Sequence, residues 1–375
     1  MILKIMWDEI RYQLKNITFY GFFIVVLLMF FSQLGIPTAG DLVLASQKEN
    51  YYRTQQITDN NKKMEKMYFW LGYNYENGTV LKHTFMFNYN AKLSSTEKNY
   101  LKDAIDKIYT FDSENNLSIN VTYDEYLDIL KNLDNNLNGR TIYKDPDRYG
   151  IYNEEISSEN AEKIYNDVME KDKFTNAYGR LFADYMGITA GFFPVFLSTF
   201  IFVREKKKNE YEIKYKSKVT FEKYILGKYL GMCICIMTCY FLLATYTTLL
   251  YFKFSLETNT IIDTLAIYKY TLFWVGPTVF FTTALGMIIA ALFNKVIIVI
   301  LAQFILWSST IKNLAGEYGL LNFVIRFNIF GEHEKYIQFK GAIIENRIFY
   351  TIISFILVLL SAYIWDRLNR ERMDI

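Results

Sequence analysis

Six stretches of this 375-residue chain consist almost entirely of apolar side chains, more than the layers of a water-soluble domain can absorb. About 18 or more consecutive, nearly uncharged apolar residues suffice to cross a hydrocarbon core of about 30 Å as a helix. The stretches fall at 17–37, 185–203, 224–252, 270–293, 296–311 and 348–365. The first contains GFFIVVLLMFFSQLGI, longer than the apolar core of a secretory leader and without a small-residue cleavage site, so a retained helix is expected. The fifth is the shortest; only Asn294 and Lys295 part it from the fourth, which reads as a tight helical hairpin. Hydrophobic residues make up 52% of the chain, yet the mean hydropathy is only +0.06, so a sizeable polar portion accompanies the apolar blocks. The expected fold class is a mainly α membrane protein: six transmembrane helices, with an α+β extracellular domain inserted between the first and second.

Orientation follows from Lys and Arg in the short flanking loops, which stay on the cytoplasmic side. The connection between the second and third stretches reads REKKKNEYEIKYKSKVTFEKYILGK over 204–228 and carries nine basic residues, so it is expected to be cytoplasmic. Six crossings then put both termini inside, in agreement with Lys4, Arg11 and Lys15 at one end and Arg367, Arg370 and Arg372 in the 366–375 tail. The segment 312–347 conflicts with that rule, since it carries Lys312, Arg326, Lys335, Lys340 and Arg347 on the outer side. Its run GLLNFVIRFNIF is expected to dip into the outer leaflet as re-entrant helices, with Arg326 in a polar vestibule.

The insert, 38–184, has the size of one domain and a mildly acidic balance, 18 basic against 23 acidic residues over 41–183. Aromatic and β-branched residues around Asn77-Gly78 predict a β-hairpin over 68–89. Ser94 and Glu97 predict a capped helix, 122–133 another, and a third starts near Glu159 and is open to run straight into the second span. At the start of the chain, Ile2, Ile5, Met6, Ile10 and Leu14 share one helical face, which reads as a helix over 1–16 lying on the inner membrane surface or as a plain extension of the first span.

Missing motifs exclude several functions. No G-x-x-x-x-G-K-[ST] loop occurs, so any ATP hydrolysis belongs to another chain. His83 and His333, the only histidines, lack zinc-hydrolase spacing and read as ordinary surface residues, and Cys233, Cys235 and Cys239 sit inside one apolar run. No catalytic residue, metal site or resident cofactor is expected, and a net charge of +2 gives no reason to expect nucleic acid. Within the 204–223 loop, carboxylates alternate with cations around Tyr211, Ile213, Tyr215, Val219 and Phe221. That pattern suits a surface helix inserting aromatics into a partner's groove, or simply an anchor that fixes orientation. Gly187, Gly191 and Pro194, Gly227 and Gly231, and Gly276 and Pro277 permit close helix approach or a kink, whether along a pathway of the kind that the resemblance given next implies or as ordinary membrane-helix features.

The order of elements, with Phe202-Val203-Arg204-Glu205, Lys216-Ser217-Lys218-Val219-Thr220 and Leu226-Gly227-Lys228 around the basic loop, resembles the permease subunits of ABC-2 type exporters. It departs from the common pattern in lacking a Gly-Thr after the glutamate and a Pro near Ser217. The resemblance implies a coupling helix that docks on a cytoplasmic ABC ATPase, which binds ATP and Mg. On this chain the coupling residues would be Glu205, Lys206, Lys207, Lys208, Glu210, Tyr211, Glu212, Lys218 and Lys228. It also implies a second permease in a homo- or heterodimer, membrane lipid around both, and export of a lipid, peptide or amphiphilic drug. The competing readings are a membrane receptor with an extracellular ligand-binding domain, and a four-span ABC permease doing mechanical work outside the cell.

Overall fold

The computed structural model describes residues 1–34, 54–83, 88–111, 116–207, 220–293, 296–310 and 316–373. The chain divides into two compact units, Met1–Leu44 with Glu162–Ile375, and Ala45–Ala161. It opens with α1 (Ile2–Gln13) and α2 (Ile17–Gln33), which meet at a 73° bend. Asn16 makes the bend by capping α2, its side chain accepting from the Thr18 N–H at 3.1 Å.

The Ala45–Ala161 unit holds β1 (Thr54–Gln56), α3 (Asn60–Asn77), β2 (Thr79–His83), β3 (Asn88–Lys92), α4 (Ser95–Ile108), β4 (Tyr109–Phe111), β5 (Leu117–Ile119), α5 (Tyr123–Asn136) and β6 (Asn153–Glu155). Its strands form three separate antiparallel pairs, β1–β6, β2–β3 and β4–β5. Met67 and Leu71 of α3, Leu101 and Ile108 of α4, and Tyr126 and Leu130 of α5 build a core of their own. The hairpin expected around Asn77-Gly78 is instead the end of α3. Met64, Met67, Leu71 and Asn74 recur at helical spacing on a buried face, and Gly78 adopts φ 61° and donates its N–H to the Asn74 carbonyl. Asn-Gly serves a helix stop as well as a hairpin turn; the antiparallel pair observed is β2–β3, and residues 84–87 lie outside the described residues.

The two expected capped helices form as α4 and α5, each with a reciprocal capping box, Ser94 with Glu97 and Thr122 with Glu125. Hydrogen bonds from the Ser94 N–H and hydroxyl hold the Glu97 carboxyl below its ordinary value of 4.5. A depressed folded value means the box stabilises α4 fully above pH 4.5 and less as acid protonates it. Amides in the first turn of α4 are therefore expected to lose hydrogen-exchange protection from about pH 4.5 downward. A Glu97→Gln chain, which keeps the side chain's length but has no titrating group there, should show a smaller pH dependence in those amides.

After α6 (Ser158–Asn166) and a π-turn at Asp167–Lys171, the chain does not run straight on. Lys173 and Phe174 take φ 47° and 54°, and α7 (Thr175–Phe192) starts afresh, followed beyond Phe193 by α8 (Pro194–Lys207). Then come α9 (Phe221–Thr258), α10 (Ala266–Tyr270), a π-turn at Thr271–Val275, α11 (Gly276–Phe293), α12 (Val296–Thr310) and α13 (His333–Met373). The second apolar helix begins at Thr175 and not at 185, because its charges Arg180 and Asp184 are neutralised inside the protein and do not bar it from the apolar body. Among the described residues, four helical stretches are long and apolar enough to cross a bilayer, Thr175–Ile201, Phe221–Thr258, Ala266–Phe293 and His333–Leu368, and the bent α1–α2 pair makes a fifth. At 15 residues α12 is about 22 Å long, short of the roughly 30 Å core, so the six expected crossings are not all matched by full-length helices. α11 is the hub of this unit, packed against α13, α8 and α7. A Cβ on Gly286 would collide with Ser198 Oγ and stand 2.8 Å from Val195 Cγ2, so only glycine allows α8 that close to α11.

Candidate functional site

Of the expected coupling residues, Glu205, Lys206 and Lys207 form the last residues of α8, while Lys208, Glu210, Tyr211, Glu212 and Lys218 lie outside the described residues. Lys228 is placed differently from a docking cation. It is buried in the second turn of α9, its Nζ 3.9 Å from Glu9 Oε2 and 4.8 Å from the centre of the Tyr224 ring. Glu9 is itself buried and accepts from Gln13 Nε2 at 2.6 Å, so these two polar residues of α1 face α9 while Lys4, Asp8 and Arg11 are exposed. Gly227 and Gly231 belong to the same contact. A Cβ on Gly231 would stand 2.6 Å from the Met6 carbonyl oxygen, and one on Gly227 would stand 3.0 Å from Ile5. These glycines let α1 lie flush on the start of α9. Gly231→Ala is expected to push α1 away at a cost of about 1–3 kcal/mol, read as faster proteolysis within 1–16 and a lower unfolding temperature; unchanged proteolysis would contradict the contact.

Gly187 and Gly191 meet a different neighbour, the irregular stretch 316–332 that precedes α13. A Cβ on Gly191 would come 2.6 Å from Val324 and 3.4 Å from Phe323, and one on Gly187 would come 3.4 Å from Val324. The Gly191 carbonyl accepts from buried Gln303 Nε2, and the Ile188 carbonyl accepts from Trp307 Nε1 at 3.1 Å, which ties α12 to α7. Pro194 opens α8, where its missing N–H costs nothing. Gly276 and Pro277 follow the π-turn, and a Cβ on Gly276 would make only an ordinary contact, 3.7 Å from Met237.

The 316–332 stretch is not helical, contrary to the re-entrant helices expected. Phe323, Val324, Ile325 and Phe327 are nonetheless buried, so the peptide groups there need partners inside the protein. Side chains supply them. Asn346 Nδ2 donates to the Gly319 and Asn322 carbonyls, each at 2.9 Å, and Tyr350 donates to the Leu320 carbonyl at 2.6 Å. Arg347 donates to the Phe323 carbonyl at 3.0 Å, to the Trp274 carbonyl of the π-turn at 3.0 Å and to Thr278 Oγ1 at 2.8 Å. Its guanidinium thus fastens α13, the irregular stretch and the entry to α11 together. Asp184 accepts from the Phe327 N–H at 2.6 Å and from Arg326 Nε at 2.8 Å, so Arg326 sits in an ion pair and not in an open vestibule.

A second ionic cluster holds the ends of α7 and α13. Arg180 makes two bonds to Asp172, at 2.9 and 2.6 Å, donates to the Gly331 carbonyl at 2.8 Å, and lies 4.7 Å from the Tyr336 ring centre. His333, expected at the surface, instead places Nδ1 2.7 Å from the same Asp172. The sequence reading missed Arg180, Asp184, Asp172 and Asn346. The available signal was the i, i+4 pair Arg180 and Asp184 just ahead of an apolar run, because such charges need internal partners. Among the described residues no group of His, Cys, Asp or Glu is placed to hold a metal ion. The arrangement fixes helices to an irregular segment, a mechanical role.

The sequence matches the family described as ABC-2 family transporter protein over residues 16–318, from α2 through the inserted unit and α12 into the irregular stretch. No curated protein and no solved structure matches the chain.

Proposed function

The chain belongs to the ABC-2 family of transporter proteins, and we infer that it is the membrane permease of an ATP-driven exporter. The family match along most of the chain carries this reading, and a sequence without a phosphate-cradling loop supports a separate ABC ATPase as the site of ATP and Mg. Two permeases and two ATPases form the working unit. Lipids, peptides and amphiphilic drugs are the cargo classes that suit so apolar a body. The bent α1–α2 pair and the short α12 complete six crossings of a bacterial plasma membrane, with both termini and the basic loop inside and the Ala45–Ala161 unit outside.

In this reading the ATPase pushes on the segment between α8 and α9. The packing supports transmission of that push, because α8 is locked to α11 at Gly286 and α9 carries α1 through Glu9 and Lys228. Stiff helices joined this closely move as levers and do not bend individually. Glu205→Ala or Tyr211→Ala is expected to lower permease-bound ATPase activity by at least about tenfold, the effect of losing one strong interface contact of 1.4 kcal/mol or more. Membrane insertion should be unaffected. Normal hydrolysis and normal co-purification of the ATPase with both variants would rule out docking at this loop.

A further inference from the structure

α1 carries apolar side chains on two faces, with Ile5 and Met6 set against the glycines of α9. Its polar Glu9 and Gln13 are buried against α9, whereas Leu3 is 72% exposed, and Trp7 and Leu14 are each 51% exposed. At 100° per residue these three apolar side chains fall within 40° of one another on the outer face, about opposite Glu9. Lys4, Arg11 and Lys15 follow directly beside them on one flank, all exposed, with exposed Asp8 as the one acid at its far edge, and none of the three makes an ion pair among the described residues. The Arg11 guanidinium lies 5.5 Å from the Trp7 ring centre, so cation and aromatic are presented together. An apolar ridge alone fits any lipid; a ridge edged by three cations and one acid, a net positive edge, fits one whose headgroups are negative.

The geometry of the bend agrees. If α2 crosses the bilayer, a 73° turn lays α1 nearly in the membrane plane, and the Tyr20 hydroxyl bonded to the Leu14 carbonyl at 2.7 Å braces the corner. An amphipathic ring such as Trp7 is placed to best effect at headgroup level. We propose that the outer face of α1, Leu3, Trp7 and Leu14 flanked by Lys4, Arg11 and Lys15, is a binding surface for anionic lipid headgroups. Because the opposite face of α1 is seated on Gly231 and on the Glu9–Lys228 pair, lipid held there also fixes the position of the start of α9.

The test uses the full-length chain in bilayers and does not depend on any ATPase, so it succeeds or fails separately from the exporter reading. Trp7 fluorescence is isolated by subtracting the signal of a Trp7→Phe chain. Bilayers of phosphatidylcholine and phosphatidylglycerol in fixed proportion are prepared with bromine on one lipid or on the other. The brominated anionic lipid is expected to quench Trp7 at least about twice as strongly as the zwitterionic one at equal mole fraction. In a chain with Lys4→Gln, Arg11→Gln and Lys15→Gln the two lipids should quench equally, with quenching itself retained. Equal quenching by both lipids in the unaltered chain would overturn the charge preference. No quenching by either would overturn lipid as the occupant and assign the face to a protein partner. The unaltered chain decides the matter even if the triple variant fails to insert.

Discussion

Arg347→Leu is expected to destabilise the helical body by about 2 kcal/mol or more, because it removes charge-assisted hydrogen bonds, each worth about 1.5–3 kcal/mol, from carbonyls that water cannot reach, leaving Thr278 Oγ1 as the donor to the Phe323 carbonyl at 2.8 Å. The guanidinium serves the Phe323 and Trp274 carbonyls and Thr278 Oγ1 simultaneously, and its side chain is almost wholly buried. Arg347→Lys should recover only part of the loss, since a single ammonium cannot reproduce a planar fork that reaches two backbone segments. Thermal unfolding in detergent, followed by loss of monodispersity, measures the difference. A Leu variant as stable as the parent would mean that 316–332 is held without Arg347, by Asn346, Tyr350, Asp184 and its apolar side chains.

Asp172→Ala is expected to cost about 3–5 kcal/mol, the penalty for leaving a buried cation without its anion. Arg180 is fully buried and has both Asp172 oxygens as partners, so removing the carboxylate strands the charge. Removing both charges should be milder than the sum of the single changes. In a cycle of Asp172→Ala, Arg180→Met and the double variant, the coupling energy should exceed about 1 kcal/mol. Recovery will be incomplete, because the Gly331 carbonyl and His333 Nδ1 also lose a partner. Additive single effects would show that the pair contributes packing and little else.

The long apolar helices were legible because a bilayer demands continuous hydrophobicity, and α9, α10–α11 and α13 each contain the run that announced them. Their ends were less legible. α7 begins before its apolar run and α13 begins at His333, in both cases where charged residues are paired with groups far away in sequence. Local patterns misled at Asn77-Gly78, since a left-handed glycine ends a helix as readily as it turns a hairpin. The small residues were visible as such, yet nothing local says that Gly231 receives α1 while Gly191 receives Val324. The same limit hid the irregular stretch: its run of apolar residues looks helical, and only Asn346, Arg347 and Asp184 arriving from other helices make a non-helical path affordable there.

The most direct test of the exporter reading is the side of the membrane on which the basic loop lies. A single cysteine at Lys216 suits it, because native Cys233, Cys235 and Cys239 are all buried in α9 and give little background with a charged thiol reagent. Labelling of Lys216→Cys is expected only after cells are opened, with intact cells left unlabelled. Labelling from outside intact cells would place the loop away from ATP and contradict coupling through it.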